Sequence, residues 1–413
     1  MSQVTIVGGG IIGLCSAYYL QKAGHEVTVI EEGTITDGTS FGNAGYVSPS
    51  HFTPLATPGI VAQGLRWMMS SSSPFYIKPR LNLDLIRWGM TFWKKATAEK
   101  VKQNAPHLNN LLQFSRKLTG EMRNELPRFF MEEIGCFMMY KTEKTEQHEK
   151  HLGEEAEKFG LKTKFFDAAG VQTLEPNVEV SVRGGVLYTD DCHLHPGQWM
   201  RSLKEYLAKA GVKLQLETSV AGFEKTNNKV TSVITDKGKF PCEELVLANG
   251  SWLPLTAAKL GIDLLLQAGK GYSMTFENVS KNLRYPAILV ERRTAMTPLG
   301  NELRMGGTME ISGLNSPTLV KRAAAIYAAA KAYYPTLQAE FPSANKIWRG
   351  FRPVTPDGLP YIGRHSKYGN LTIAGGHAMI GISCGAGTGK IVQLLISKQP
   401  AEFDLSAFSA EGF

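Results

Sequence analysis

The sequence lacks long apolar runs and has few cysteines, and each absence excludes a class of protein. Its 413 residues contain no apolar stretch of about 18 residues, the length that crosses a membrane as a helix. The five cysteines are far apart and form no C-x-x-C pair, which argues against a disulfide framework and a metal site. The first residues lack the basic and small-residue pattern of an export signal. We therefore expect a reducing, cytoplasmic location.

Positive charge is concentrated in one segment. The chain has a net charge of +8, and its 43% apolar and 20% charged residues are typical of a folded globular protein. Residues 60–102 hold eight Lys or Arg and two Asp or Glu, so eight minus two gives +6 here. The segment also holds Trp67, Trp88 and Trp93, and nothing in it resembles a nucleic-acid-binding motif, so we expect no nucleic-acid partner. It predicts either a peripheral contact with the inner face of the cell membrane or a lid with a solvated basic face.

Apolar periodicity predicts alternating strands and helices. A strand at 4–7, a helix at 12–23 and a strand at 27–30 form a βαβ unit at the front. Near the end, a strand at 370–374 precedes a glycine-dense loop and a last helix at 385–397. Further helices are predicted at 81–98, 108–126, 146–159, 196–210 and 316–333. The patterns at the two ends predict one domain built from distant parts of the chain, with a second domain inserted into it.

The turn of the front unit carries Gly8, Gly10 and Gly13 in a G-x-G-x-x-G arrangement. Glycine is needed there for a tight turn, for close approach of a pyrophosphate, and for close packing of helix on strand. Glu31 ends the second strand, where a carboxylate accepts hydrogen bonds from ribose hydroxyls and disfavours the 2′-phosphate of NADP. The unit therefore predicts a dinucleotide site, and by itself leaves NAD and FAD both open.

Later blocks of sequence resemble one group of flavoenzymes. In chain order they are T-S-F-G-N-A-G at 39–45, V-L-A-N-G-S-W at 246–252, G-K-G-Y-S at 269–273, L-R-M-G-G-T at 303–308, G-F-R-P-V-T-P-D-G-L-P-Y-I-G at 350–363, and Gly376-His377 followed by Gly385, Gly387 and Gly389. Together they resemble the FAD-dependent D-amino acid oxidase/glycine oxidase superfamily, and most of all its bacterial D-amino acid dehydrogenases of the small-subunit type. The resemblance covers nearly the whole chain, is weakest over 56–106, and favours FAD.

This resemblance implies an α/β fold, with a Rossmann-type FAD-binding domain and an inserted α+β substrate domain that contains a mostly antiparallel sheet. We assign 1–50, 145–265 and 345–413 to the FAD-binding domain, and 51–144 and 266–344 to the substrate domain. Related sarcosine-type oxidases attach FAD to a cysteine near the T-P-D stretch. Residues 351–355 contain no cysteine, so we expect noncovalent FAD.

The resemblance also points to three candidate catalytic residues. Arg352, in the G-x-R-P block, would fix a substrate carboxylate with its planar guanidinium. Tyr272 would bind the same carboxylate or pack as a strand tyrosine. His51 would contact the substrate or be a structural loop residue. Arg304 would line the substrate site or be a solvated strand residue.

The candidate cofactor-binding residues come from both ends of the chain. They are Gly8, Gly10, Ile11, Ile12, Gly13, Glu31, Glu32, Thr39, Ser40, Asn43, Ala44, Gly45, Gly376, His377, Gly385, Gly387 and Thr388. We expect residues 385–389 to open the last helix, so that its N-terminal N–H groups point at the flavin and stabilise negative charge there.

The implied activity is oxidative deamination of D-amino acids, including D-alanine-like substrates or proline-ring substrates such as D-hydroxyproline. A hydride passes from Cα to flavin N5, the imine hydrolyses to a keto acid or stays cyclic, and the electrons continue to a respiratory acceptor, a quinone or another carrier. The alternative is a glycine- or sarcosine-type amine oxidase that uses oxygen. A non-catalytic flavin-binding subunit or tRNA-modification partner is a third class, but it would need no carboxylate clamp such as Arg352.

Overall fold

Two large β-sheets organise the chain in the computed structural model, which describes residues 1–62, 64 and 73–413. The strands are β1 (Gln3–Val7), β2 (Glu26–Ile30), β3 (Tyr46–Val47), β4 (Phe75–Ile77), β5 (Met131–Glu132), β6 (Cys136–Tyr140), β7 (Thr163–Asp167), β8 (Gly184–Tyr188), β9 (Cys192–Leu194), β10 (Lys213–Gln215), β11 (Val220–Thr226), β12 (Lys229–Thr235), β13 (Gly238–Pro241), β14 (Glu244–Leu247), β15 (Gln267–Phe276), β16 (Ala287–Leu289), β17 (Thr294–Leu299), β18 (Glu302–Ile311), β19 (Trp348–Val354), β20 (Tyr361–Arg364) and β21 (Leu371–Gly375). The α-helices are α1 (Ile11–Lys22), α2 (Leu83–Lys95), α3 (Ala98–Glu125), α4 (Glu143–Lys158), α5 (Ala168–Leu174), α6 (Pro196–Lys209), α7 (Leu253–Ala258), α8 (Val320–Tyr333) and α9 (Gly381–Ile396).

The first sheet extends the βαβ unit with strands from distant parts of the chain. Its order is β10-β2-β1-β14-β21-β20, and its pairs are parallel except for β20 with β21. Helices α1, α6 and α9 pack on one face, and the β11-β12-β13 meander and α7 pack on the other. Val4 and Ile6 of β1 are consequently fully buried, as expected for a parallel sheet covered on both faces. The carboxyl ends of β1, β2, β14 and β21 therefore share one edge.

The second sheet is mostly antiparallel. Its order is β19-β15-β18-β17-β16-β6-β8-β7, and β4 pairs in parallel with β18. Helix α8 packs on it through Ala323, Ile326 and Tyr333, which share an apolar core with Met274 and Met305. Together the two sheets confirm the predicted class, a Rossmann-type α/β unit combined with a mostly antiparallel second sheet.

The assignment of segments to two domains stays a prediction. The pairing of the strands shows which of these segments share a sheet. Strands β7 and β8 come from within 145–265 but join the second sheet, whereas β10 and β14 of the same range join the first. Helix α3, from within 51–144, packs against α9 in the apolar core beside the first sheet. The second sheet thus draws on segments that we assigned to both domains, and a helix from the substrate-domain segment 51–144 packs beside the first sheet.

Three helices begin four or more residues away from the start that their sequence pattern suggested. Helix α3 begins at Ala98 and not at 108, because the Thr97 hydroxyl caps it and the helix accommodates Pro106 in its interior. Helix α8 begins at Val320 and not at 316, and the Ser316 hydroxyl instead accepts a hydrogen bond from the Lys270 Nζ at 2.7 Å. Helix α9 begins at Gly381 and not at 385, which changes the roles of its glycines.

Two observations concern the basic segment. Arg66 and Trp67 lie outside the described residues, since residues 63 and 65–72 are not described. Among the helices of the described ranges, none is long and apolar enough to cross a membrane.

Candidate functional site

A cavity of about 870 Å³ is lined by residues of both large sheets. Its walls include the glycine turn, the loop 39–44, part of β19 and the start of α9. Residues at the carboxyl ends of β1, β2, β14 and β21 also contribute. Open α/β sheets bind their ligands at this edge, so the cavity is the candidate functional site.

Two of the three glycines in the turn are required by close contacts, and the third borders the cavity. Gly8 has a φ of +110°, and a Cβ there would lie 2.6 Å from the Ala248 carbonyl oxygen. A Cβ on Gly13 would lie 1.9 Å from the Gly8 carbonyl oxygen, so a larger residue would force α1 away from β1. At Gly10 the nearest atom to a Cβ is the Ser40 Oγ at 3.4 Å, and Gly10 lines the cavity. The turn therefore leaves room for a phosphate at the start of α1, where unpaired helical N–H groups favour an anion.

The acidic end of β2 borders the same cavity. The Glu31 carboxylate accepts hydrogen bonds from the Gly9 N–H at 2.6 Å and from the Gly33 N–H at 2.8 Å. Both glutamates, Glu31 and Glu32, line the cavity. Two backbone donors hold the Glu31 carboxylate in place, so it is positioned to accept from ribose hydroxyls.

The loop 39–45 is fixed to the second sheet by side-chain hydrogen bonds. The Thr39 hydroxyl accepts from the Phe351 N–H at 3.0 Å and donates to the Phe351 carbonyl at 3.2 Å. The Ser40 Oγ accepts from the Ile11 N–H at 3.0 Å, which ties the loop to the first turn of α1. Of the predicted loop residues, Thr39, Ser40, Asn43 and Ala44 line the cavity. Gly45 is not among the lining residues, and its φ of +90° favours glycine.

Arg304 neither lines the cavity nor faces solvent. Its guanidinium is buried, and it donates to the Asn43 carbonyl at 2.7 Å and to the Thr275 hydroxyl at 3.0 Å. Both interpretations of Arg304 from the sequence are therefore replaced by a structural role, because the loop 39–45 folds back over β18 and covers it.

The start of α9 forms the opposite wall. Ile380, Gly381, Ile382 and Ser383 line the cavity. The first N–H groups of a helix have no partner within it and carry partial positive charge. The expected helix N-terminus at the cavity is therefore present, but it is formed by residues 380–383.

Gly385, Gly387 and Thr388 lie one to two turns further along α9, outside the cavity lining. A Cβ on Gly385 would lie 2.8 Å from the Ile11 Cγ1, and one on Gly387 would lie 2.8 Å from the Ser115 Cβ. These glycines let α9 approach α1 and α3 closely. We therefore assign them a packing role and correct the expectation that they contact the cofactor.

His377 lines the cavity and is neutral. Burial lowers the pKa of His377 to about 3, and its Nε2 lies 2.9 Å from the Thr388 Oγ1. Thr388 thus acts by holding His377. Gly376, the preceding residue, has a φ of +80° and turns the chain from β21 toward α9.

Arg352 lies on the cavity wall contributed by β19. Its Nη1 donates to the Thr308 carbonyl, and no carboxylate in the described part of the chain forms an ion pair with it. Asp357, a possible partner by sequence, accepts instead from the Leu359 N–H at 3.1 Å. A Cβ on Gly271 would lie 2.2 Å from the Arg352 Nη1, so glycine there gives the guanidinium its space. Burial lowers the pKa of Arg352 to about 10, which leaves it charged at neutral pH.

Tyr272 borders the cavity, but its hydroxyl is engaged elsewhere. The hydroxyl donates to the Glu310 Oε2 at 3.0 Å and accepts from the Leu319 N–H at 3.2 Å. Neighbouring residues of a strand face opposite sides, and Gly271 faces Arg352. The Tyr272 ring therefore belongs to the core beneath the second sheet, which favours the packing interpretation over carboxylate binding.

His51 lies in a short 3-10 turn, Pro49–His51, and lines the cavity. Burial, and then the charge of Arg293, lower the pKa of His51 to about 4. Its Nδ1 lies 3.3 Å from the Ser50 Oγ, which donates to the Asp191 Oδ2 at 2.6 Å. The sequence did not single out Ser50 or Asp191, because a contact across 141 positions leaves no local pattern.

The arrangement fits a dinucleotide held at both ends. The start of α1 and Glu31 suit a pyrophosphate and a ribose, and the start of α9 suits a group that becomes negatively charged on reduction. The individual site residues stay predictions, but the structure places most of them around one cavity.

Comparison of the sequence with known proteins gives a consistent result. A sequence model of the family DAO, described as FAD dependent oxidoreductase, matches residues 3–394. The chain is 32% identical to a D-amino acid dehydrogenase from Granulibacter bethesdensis over 417 residues, covering 97% of each protein. It is 33% identical to a D-amino acid dehydrogenase from Helicobacter pylori over 411 residues, covering 99% of this chain and 98% of the relative.

The fold is similar to that of solved structures. Glycine oxidase from Geobacillus kaustophilus has a TM-score of 0.78 at 23% identity, covering 99% of this chain and 98% of that one. L-proline dehydrogenase from P. horikoshii has a TM-score of 0.77 at 19% identity, covering 99% and 97%. At these identities the similarity establishes the fold.

Proposed function

Because the chain belongs to the DAO family of FAD dependent oxidoreductases, we propose that it is an FAD-dependent D-amino acid dehydrogenase. FAD, when bound, accepts the hydride that leaves the substrate Cα and so turns the amine into an imine. The chain's own residues bind and orient the substrate, exclude water, and stabilise charge. The two relatives named D-amino acid dehydrogenase match over nearly their full lengths, which supports this substrate class.

One observation carries the proposal: a charged arginine that forms no ion pair with any described residue lies on the wall of the cofactor cavity. Arg352 is held by the Thr308 carbonyl, and this bond leaves the remaining N–H groups of the guanidinium available. A planar guanidinium binds a carboxylate in two-pronged fashion, which fixes the orientation of an amino acid as well as its position. A half-buried cation in such a place is costly unless an anion joins it. The α-carboxylate of the substrate is that anion.

The test compares Arg352→Ala with a control on the same strand. Arg349 donates to the Ser316 carbonyl at 2.8 Å and does not line the cavity, so Arg349→Ala removes the same charge elsewhere on β19. Flavin bleaching by D-amino acids is followed without oxygen, and KM is measured in turnover with an artificial quinone-like dye as electron acceptor. We expect Arg352→Ala to raise KM at least tenfold while FAD stays bound, and Arg349→Ala to leave KM nearly unchanged. Bleaching of the wild-type flavin by L-amino acids only, or an unchanged KM in Arg352→Ala, would refute the proposal.

The alternative, an amine oxidase of the glycine or sarcosine type, differs in its electron acceptor. The same purified enzyme is given D-amino acids, glycine and sarcosine, with either oxygen or an artificial quinone-like dye. A dehydrogenase reduces the dye and consumes little oxygen. Rapid oxygen consumption with glycine or sarcosine would favour the oxidase.

The proposed FAD is noncovalent. All five cysteines are buried, and none lines the cavity, so no thiol is placed to attach a flavin. Acid precipitation is expected to leave a colourless pellet and a yellow supernatant. Yellow protein in the pellet would show a covalent bond.

We assign the membrane contact considered for residues 60–102 to the exposed face of α2. On α2 the residues Leu83, Ile86, Met90 and Trp93 follow one another at helical spacing and are 78%, 46%, 53% and 64% exposed. Trp88 is on the opposite face, buried, and donates to the Val354 carbonyl at 2.9 Å. The exposed row, which we call the α2 apolar row, is accompanied by the exposed bases Lys78, Arg87, Lys94 and Lys102. An apolar row beside basic side chains suits an anionic lipid surface.

Binding to liposomes tests this contact. We expect the protein to bind vesicles that contain phosphatidylserine, less at high salt, and the double variant Leu83→Ser, Trp93→Ser to lose binding. Val320, 40% exposed on α8, provides the control Val320→Ser. A membrane surface would also give access to a quinone as electron acceptor. Equal binding of both variants would refute the role of the α2 apolar row.

A further inference from the structure

A chain of hydrogen bonds connects a buried carboxylate to the cavity. Asp191 lies between β8 and β9 and is 1% exposed. Its Oδ1 accepts from the Ser50 N–H at 3.1 Å, and its Oδ2 accepts from the Ser50 Oγ at 2.6 Å. The Ser50 Oγ in turn lies 3.3 Å from the His51 Nδ1. His51 lines the cavity, so the chain leads from the protein interior to the ligand space.

The hydrogen-bond partners in this chain determine where the hydroxyl proton of Ser50 and the ring proton of His51 lie. An ionised carboxylate only accepts, so the single hydroxyl proton of Ser50 lies on the bond to Asp191. The Ser50 oxygen can then only accept from His51, which requires a proton on Nδ1. A neutral imidazole with its proton on Nδ1 presents an unprotonated Nε2.

We propose that Ser50 and Asp191 are positioning residues that hold His51 with its proton on Nδ1, so that Nε2 accepts a hydrogen bond from an N–H or O–H group of the substrate. This inference rests on the proposed amino acid substrate. Imidazole in water prefers the opposite tautomer, with the proton on Nε2. Without the chain, His51 would therefore offer the substrate a donor where an acceptor is needed. The substrate amine and the ring hydroxyl of a hydroxyproline are the two donors to be distinguished.

The arrangement requires Asp191 as a carboxylate. Burial raises the pKa of Asp191 to about 7, so the ionised form is present above that pH and is lost as the pH falls through it. A protonated Asp191 would donate to the Ser50 oxygen, and the Ser50 hydroxyl would then turn to His51 Nδ1 and reverse the tautomer. Among the described residues, Arg293 interacts electrostatically with His51, and the titratable groups that interact in this way with Asp191 are Tyr46, Arg116, Cys136, Tyr188, Asp190 and Cys192.

Nitrogen NMR of the holoenzyme labelled with ¹⁵N-histidine tests the tautomer directly. The His51 signals are identified by their loss in His51→Gln. We expect an Nδ1–H tautomer in the wild type, and a shift toward Nε2–H in Ser50→Ala, in Asp191→Asn and in the wild type below about pH 6. Asp190→Asn is the control, since it makes the same charge change one position away, where the carboxylate accepts from the Lys162 N–H at 2.6 Å. An Nε2–H tautomer in the wild type, or no change in Ser50→Ala, overturns the proposal.

Kinetics of Ser50→Ala identifies the donor. If the amine is the donor, kcat/KM falls about tenfold for both D-proline and D-hydroxyproline, the loss expected for one hydrogen bond. If the ring hydroxyl is the donor, only D-hydroxyproline is affected. A reversed tautomer with unchanged kinetics on both substrates overturns the proposed role of Nε2. If the wild type oxidises no D-amino acid, the proposed function fails, whereas the NMR result still decides how Ser50 and Asp191 hold His51.

Discussion

Replacing Gly389 with alanine distinguishes helix packing from cofactor contact in α9. A Cβ at this position would lie 2.5 Å from the Cys15 carbonyl carbon, 2.6 Å from its oxygen and 2.8 Å from its Cβ. The first two atoms belong to the backbone of α1, which cannot rotate out of the way. To restore ordinary contact at about 3.5 Å, the two helices must move apart by roughly 1 Å.

The expected cost follows from two opposing effects. Overpacking a core typically destabilises by about 1–3 kcal/mol, and contact with backbone atoms favours the upper end of that range. Alanine in a helix interior regains about 1 kcal/mol over glycine. We therefore expect Gly389→Ala to lower the free energy of unfolding by about 2 kcal/mol.

Denaturant unfolding of the apoprotein and a flavin titration together provide the assay. Gly89→Ala in α2 is the matched control, because a Cβ there would meet nothing within 4 Å, and we expect it to be neutral or stabilising by up to ~1 kcal/mol. Gly10→Ala should show the opposite pattern, with FAD affinity reduced and apoprotein stability retained, since Gly10 borders the cavity. If Gly389→Ala leaves stability unchanged and weakens FAD binding as much as Gly10→Ala, the packing role is wrong.

Three further predictions concern charged side chains. Burial lowers the pKa of Arg352 to about 10, so its guanidinium is charged below that pH. The affinity of the enzyme for benzoate, followed by flavin absorbance, should therefore fall as the pH rises through about 10. An affinity that stays constant up to about one pH unit above this pKa would contradict carboxylate binding by Arg352. Lys270 is fully buried, and its Nζ lies 3.1 Å from the Glu310 carboxylate, so Glu310→Gln removes its counter-charge. The free energy of unfolding measured in denaturant should fall by about 3–5 kcal/mol. A loss below about 1 kcal/mol would show that this buried pair is dispensable. Glu31→Ala should weaken FAD binding by about 10- to 100-fold, the value of a hydrogen bond to a charged group, whereas Glu32→Ala should have little effect in the same fluorescence titration; equal losses would contradict the ribose role of Glu31.

Local sequence determined the front of the molecule. The strand, the glycine turn, the helix and Glu31 lie within a short stretch, and Gly13 is required by a contact inside this unit, since a Cβ there would lie 1.9 Å from the Gly8 carbonyl oxygen. The choice of FAD came from blocks scattered along the chain, which the family match confirms. Arg352 was found through its block, since no periodicity or spacing distinguishes a substrate-binding arginine from a solvated one.

Only the tertiary structure decided what each later residue touches. Tyr272 and Gly271 are neighbours in sequence, yet the alternation of a strand sends one to a buried network and the other to Arg352. The sequence predicted that residues 385–389 open α9 and face the flavin, but the helix starts four residues earlier, so that Gly385 and Gly389 face α1 and Gly387 faces α3. Asp191 and Ser50 meet across 141 positions. Composition and spacing report the local preferences of the chain. The contacts of Tyr272, of the α9 glycines and of Asp191 with Ser50 depend instead on how distant segments pack, which only the complete fold determines.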